Sequence, residues 1–267
     1  MNTRRPAVAG QFYPNDKKTL KKQVEDFLEK SKTEKIKGAA GAIVPHAGYS
    51  YSGSVAAYSY NAIAGLKPKN IVILGPNHTG YGEPVAIDAS DEWETPLGAV
   101  SVNSELREKI SKDLFSIDAE AHEYEHSIEV NVPFLQCVFN DFEIVPICIG
   151  DQRKEIMKAL GERLAKTLNE KDIVIASTDF SHYVPYDAAY ANDLRAINDV
   201  IKLDVDSFYE TVKKNNVSMC GHGGVAALIE YAKRRGASKA ALLKYATSGD
   251  VTNDKTSVVG YASLVLE

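Results

Sequence analysis

The chain carries six histidines, His46, His78, His122, His126, His182 and His222. Each falls at the end of an apolar run or in a polar, glycine-rich turn, never on the apolar stripe of a helix. Imidazole titrates nearest neutral pH and is the commonest metal ligand, so such a set points to a metal ion or to proton transfer. Two of the six share one grammar. Ile43-Val44-Pro45-His46 and Ile71-Val72-Ile73-Leu74-Gly75-Pro76-Asn77-His78 both run from an apolar strand-like segment into a proline and then a histidine. In open α/β sheets, ligands bind beyond the carboxyl ends of strands, so these two histidines are expected to meet in one pocket.

A metal held by His46 and His78 needs a third donor, and Cys220, Asp179 and Glu125 are the candidates. Cys220 opens Cys-Gly-His-Gly-Gly just before a helical stretch, where the helix dipole favours a thiolate; an inert buried thiol is the other reading. Asp179 and His182 stand three apart in Asp-Phe-Ser-His, so a helical turn there would place the carboxylate where it fixes the histidine's tautomer. His126, between Glu125 and Glu129, offers a second acid–base pair, although carboxylates in a first helical turn also simply favour the dipole.

The elements that must position these residues alternate. Asn15 is a cap for a helix running to about Ser31, with Leu20, Val24, Phe27 and Leu28 on one face. A strand ends at His46, Tyr49 to Gly53 reads as a loop, and Ser54 to Ala64 as an alanine-rich helix before the strand ending at His78. Residues 80–101, with the only tryptophan, read as short strands forming an edge hairpin or lid. A helix at 104–112 precedes the His122 to Glu129 cluster, and Ile128, Val132, Leu135 and Phe139 keep helical spacing that Pro133 must kink or restart. Strands at 142–149 and 173–176, helices at 153–168, 187–202, 206–214 and 225–232, and strands at 240–246 and 257–265 complete the chain. This alternation predicts an α/β fold over residues 1–267, a single-domain three-layer α/β/α sandwich around a mixed central sheet.

Composition excludes several classes. Of 267 residues, 44% are hydrophobic and 25% charged, with a net charge of −5, the profile of an ordinary globular protein. Basic residues are scattered, so nucleic acid is not expected as a partner. The start lacks the apolar core of a signal sequence, and no apolar run is long enough to cross a bilayer; a cytoplasmic protein with no membrane association is expected. Three cysteines without close pairing argue for reduced thiols.

Taken together, Pro-His-Ala-Gly-Tyr at 45–49, Leu-Gly-Pro-Asn-His at 74–78, Thr-Pro-Leu-Gly at 95–98, Glu-His-Ser-Ile-Glu at 125–129, Ser-Thr-Asp-Phe-Ser-His at 177–182 and Met-Cys-Gly at 219–221 resemble the Memo family over nearly the whole chain. The resemblance implies a fold similar to class III extradiol dioxygenases, whose non-haem iron is held by two histidines and a carboxylate. It matches the metal histidines to His46 and His78, puts Cys220 in place of the carboxylate, and makes His182, with Asp179 beside it, the acid–base residue. A thiolate softens the site toward Cu(I), zinc or thiolate-bound iron. Animal members are associated with phosphotyrosine peptides through a pocket whose N-terminal aromatic is tryptophan; here it is Phe12, without the indole N–H.

The expectation is thus one iron or copper ion, with zinc third in order and no organic cofactor, on His46, His78 and Cys220. His182, Asp179 and His126 would be catalytic, and Phe12, Tyr49 and Glu125 would contact substrate. The function expected is a metal-dependent redox or dioxygenase-like reaction. The alternative is a non-catalytic module for a peptide or small ligand, using His126, His182, Tyr49 and Tyr51. A homo-oligomer is compatible with either.

Overall fold

The computed structural model describes residues 2–267. An N-terminal arm contributes β1 (Thr3–Arg4) before α1 (Lys17–Lys30). Next come β2 (Gly41–Val44), α2 (Tyr49–Ile63) and β3 (Asn70–Pro76). An excursion holds β4 (Val85–Ile87), β5 (Glu92–Thr95), β6 (Gly98–Ser101), α3 (Ser104–Ser111) and β7 (Ser116–Ile117). The single-turn α4 (Glu120–Glu123) and a 3-10 turn at Glu129–Asn131 lead into α5 (Val132–Val138). Then follow β8 (Glu143–Ile149), α6 (Lys154–Thr167), β9 (Ile173–Ser177) and β10 (His182–Val184). The chain closes with α7 (Tyr186–Ile201), α8 (Val205–Lys214), α9 (His222–Arg234), β11 (Ala240–Thr247), α10 (Gly249–Thr252) and β12 (Val258–Leu266).

The main sheet runs β10-β12-β2-β9-β3-β8-β4-β7, with β11 on the outer side of β12. Its centre, β2-β9-β3-β8, is parallel, and antiparallel β12 and β4 flank it, so the sheet is mixed. Period-two alternation divides each central strand between two cores. Ile43, Val72, Leu74 and Val174 face a layer that includes Leu160, Leu164, Val200, Phe208 and Leu228 from α6 to α9. Ala42, Val44, Ile71 and Ile73 face Leu20, Val24, Tyr60 and Phe134 from α1, α2 and α5. The α/β sandwich expected from the alternation is the observed fold. Among the described residues no helix is long and apolar enough to cross a membrane.

Local details differ from the sequence reading. Asp16, not Asn15, caps α1, its carboxylate accepting from the N–H groups of Lys18 and Thr19 at 3.0 and 3.1 Å. Tyr49 to Gly53 is not a loop but the first turn of α2: Ser52 and Gly53 are buried, and a Cβ on Gly53 would lie 2.5 Å from the Phe27 ring. Small residues here signal tight helix packing rather than a turn. Pro133 sits in the first turn of α5, where its missing N–H is harmless. The β5-β6 hairpin is no lid; it pairs with β1 and buries Trp93 beneath the N-terminal arm.

Candidate metal centre

The adjacent strands β2, β9 and β3 each deliver a functional side chain two residues past their ends: His46, Asp179 and His78. Cys220 approaches from the turn before α9. Its Sγ lies 3.3 Å from His46 Nε2. One ring nitrogen from each of His46 and His78 and the Cys220 Sγ all fall within 4.8 Å of one another. The His46 and His78 rings meet edge-on at 5.2 Å, and His126 stacks on His78 at 4.6 Å. Phe12 then packs against His126 at 4.7 Å, forming one wall of the site.

Hydrogen bonding determines which nitrogen each histidine presents. Ser177 Oγ donates its one proton to the Ser127 carbonyl at 2.7 Å and accepts from Asn131 Nδ2 at 2.9 Å. Toward His46 Nδ1, 2.8 Å away, it can therefore only accept, so Nδ1 carries the proton and the Nε2 lone pair faces Cys220. The Tyr60 hydroxyl, donating to Asn131 Oδ1 at 2.8 Å, holds the amide the right way round. His78 Nδ1 donates to Glu125 Oε1 at 2.9 Å, and His182 Nδ1 to the Ser218 carbonyl at 2.7 Å. His46 thus presents Nε2 to Cys220, and His78 and His182 are bonded through Nδ1, the arrangement in which a bonded N–H orients a ligating imidazole.

Burial pushes the His46 pKa well below its ordinary value, with nearby His126 and His78 adding to the shift, so the ring is neutral. Burial likewise pushes the Cys220 thiol up to about 12, Asp179 adding to it. Asp179 itself is raised to about 6, chiefly by burial, although the N–H groups of His46 and Ala47 pull the other way. Burial also acts to raise Glu125, but the His78 bond, the neighbouring imidazoles and backbone N–H donors outweigh it and hold the carboxyl at about 2. His126 is lowered by burial despite Glu125.

The structure gathers His46, His78, His126, Cys220, Asp179, Glu125 and Phe12 in one place, with His182 within electrostatic reach of His46 and Asp179. Several assigned contacts change. Asp179 does not hold His182. The segment is not helical; Asp179 Oδ1 accepts from the His46 N–H at 2.9 Å, and Ser218 orients His182 instead. Glu125 is 1% exposed and fully engaged by His78 and by the N–H groups of His126 and Ser127, so it orients the site rather than facing substrate. Tyr49 is 2% exposed, its hydroxyl donating to the Val130 carbonyl at 2.8 Å; it belongs to the core. Tyr51, two residues along the same helix, is the exposed one of the two. Glu129 pairs with Arg4 and accepts from Ala7, Val8 and Tyr13.

Sequence reasoning missed Ser177, Asn131, Ser127 and Ser218. Asn131 carried a signal, a polar residue inside the apolar Ile128 to Leu135 segment, and polar groups are buried there only with partners. Ser218 carried none.

The donor chemistry fits a soft metal. Two imidazoles presenting Nε2 and one thiol leave the remaining positions of an ion open, and two donors at 3.3 Å match the separation of about 3.5 Å expected around a tetrahedral ion.

A family model described as Memo-like protein matches residues 4–265. A MEMO1 family protein of Methanosarcina barkeri is 42% identical over 99% of this chain and 100% of its own. One of Pyrobaculum aerophilum is 44% identical over 99% of both chains, and one of Nitrosopumilus maritimus 40% identical over 98% of both. Among solved structures, an uncharacterized protein from Escherichia coli K12 superposes with a TM-score of 0.57 at 13% identity, covering 83% of this chain and 98% of its own, a likeness of fold alone.

Proposed function

The chain belongs to the Memo-like protein family, and on that premise we propose that it is a metal-dependent redox protein holding one iron or copper ion on His46, His78 and Cys220. The observation that carries this reading is the convergence of two tautomer-fixed imidazoles with one thiol. A bound iron or copper ion would supply Lewis acidity and electron transfer, whereas zinc, having no redox chemistry, would supply only the first. The chain's own residues do the rest. His182, with Nε2 free and Nδ1 anchored on Ser218, takes or gives a proton at a bound small molecule. Asp179 steadies the His46 backbone, and the tilted Phe12 and His126 rings form a wall that excludes water from one side of the site.

The test is metal content after anaerobic purification, for wild type and for Cys220→Ala and His46→Ala. The reading expects about one ion per chain in wild type and loss in both variants. The same substoichiometric metal in all three proteins would refute it.

A further inference from the structure

Of the three donors, the two imidazoles hang from strand ends within the sheet, whereas Cys220 lies on an irregular turn between α8 and α9 that no strand pairing holds. Something else must place its sulfur. On one side the exit of β9 does so. Cys220 N–H donates to the Asp179 carbonyl at 3.3 Å, the Asp179 N–H donates to Sγ at 3.3 Å, and Gly221 N–H donates to Thr178 Oγ1 at 2.9 Å.

On the other side stands one side chain from the loop after β8. Gln152 Nε2 donates to the Cys220 carbonyl at 2.8 Å, and Gln152 Oε1 accepts from the Gly223 N–H at 2.7 Å. The two bonds straddle the entry to α9 and use both ends of the amide, so its orientation is determined and a shift of the turn breaks both together. Gly223 has no room to give: a Cβ there would lie 2.8 Å from Gln152 Cβ. Gln152 is itself held, its carbonyl accepting from the Tyr209 hydroxyl at 2.7 Å.

We infer that Gln152 is a positioning residue for the metal centre: its amide clamps the Cys220 turn against β9 and sets where the sulfur stands relative to His46 and His78. This rests on the metal reading for its consequence, but the clamp itself is a property of the metal-free chain. Gln152 touches no reacting atom and acts through Cys220.

The test has two arms on the full chain, comparing wild type with Gln152→Ala and Gln152→Glu, the latter keeping the acceptor for Gly223 and losing the donor to Cys220. The first arm measures iodoacetamide alkylation of Cys220 in metal-free protein at one fixed pH, located by peptide mass spectrometry so that Cys137 and Cys148 serve as internal references. Loss of the clamp is expected to raise the Cys220 rate about tenfold in Gln152→Ala, less in Gln152→Glu, with Cys148 unchanged. The second arm titrates Co(II) alone and follows the thiolate-to-cobalt charge-transfer band; affinity is expected to fall about 10–100-fold with a displaced band. Wild-type protein that shows no such band overturns the metal reading while leaving the alkylation arm to decide the clamp. Equal Cys220 alkylation in all three folded proteins overturns the clamp.

Discussion

Glu129 offers a sharp test of how the site's outer wall is held. Its carboxylate is fully buried and accepts from the Arg4 guanidinium, from the N–H groups of Ala7 and Val8 at 2.8 and 3.1 Å, and from the Tyr13 hydroxyl. Arg4 is equally enclosed, lying 4.3 Å over the Trp93 ring and donating to the carbonyls of His122 and Glu125. Together they pin the arm that carries Phe12 to His126. Glu129→Ala strands a buried guanidinium, a change that costs about 3–5 kcal/mol, whereas replacing both partners with apolar groups of similar volume is often close to neutral. At about 2–4 °C per kcal/mol for a chain near this size, calorimetry should show Tm falling by about 6–20 °C. The double variant Arg4→Met/Glu129→Leu should recover the share of that loss that comes from the stranded charge, while the N–H groups of Ala7 and Val8 and the Tyr13 hydroxyl stay without their acceptor. A single-variant cost below about 1 kcal/mol, or a double variant as unstable as the sum of its parts, would show that the pair does not hold the arm.

Other outcomes follow from the hydrogen-bond network and the ionisation of the site. Ser177→Ala removes the acceptor that determines the His46 tautomer and should weaken metal binding about 10–100-fold in a chelator competition, with equal affinity counting against the tautomer argument. Because the Cys220 thiol is pushed to about 12 while His46 is already neutral, loading metal near neutral pH should release about one proton, and affinity should rise about tenfold per pH unit; calorimetry in two buffers of different ionisation enthalpy reads this directly, and no proton release would contradict it. Glu125 has a depressed pKa, about 2 against an ordinary 4.5, so the stability advantage of metal-free wild type over Glu125→Gln should be full above pH 4.5 and vanish as pH falls through about 2. A gap that stays constant over that range would mean the carboxylate charge is not what Glu125 contributes. Gly75→Ala should lower Tm and disturb His78, since its Cβ would meet Ser127 Oγ at 2.5 Å and push away the loop that carries Glu125.

Much of the fold was legible because it is written in short-range patterns. Apolar runs of strand length alternate with helical spacing, and the core strands β2, β3, β8 and β9 fall where those runs lie. The histidines at their ends were legible for the same reason, since a strand end can be read and its ligand side in a parallel sheet follows. Tyr49 was misread because a glycine, serine and tyrosine run looks like a turn until the neighbouring helix that needs its small surface is known. Asp179 was paired with His182 on local spacing, and the three-residue separation meant nothing once the segment proved not to be helical.

What the residue order determines by itself is therefore the set of donors and the strands that carry two of them: His46 and His78 must come together because their strands are apolar throughout and end in the same way. What tertiary structure decides is how those donors are presented. Ser177, Asn131 and Tyr60 come from β9, the turn before α5 and α2, and Gln152 reaches Cys220 across 68 positions of chain. A tautomer or a sulfur position depends on the last hydrogen bond made to it, and hydrogen bonds between residues so far apart leave no periodicity in a sequence.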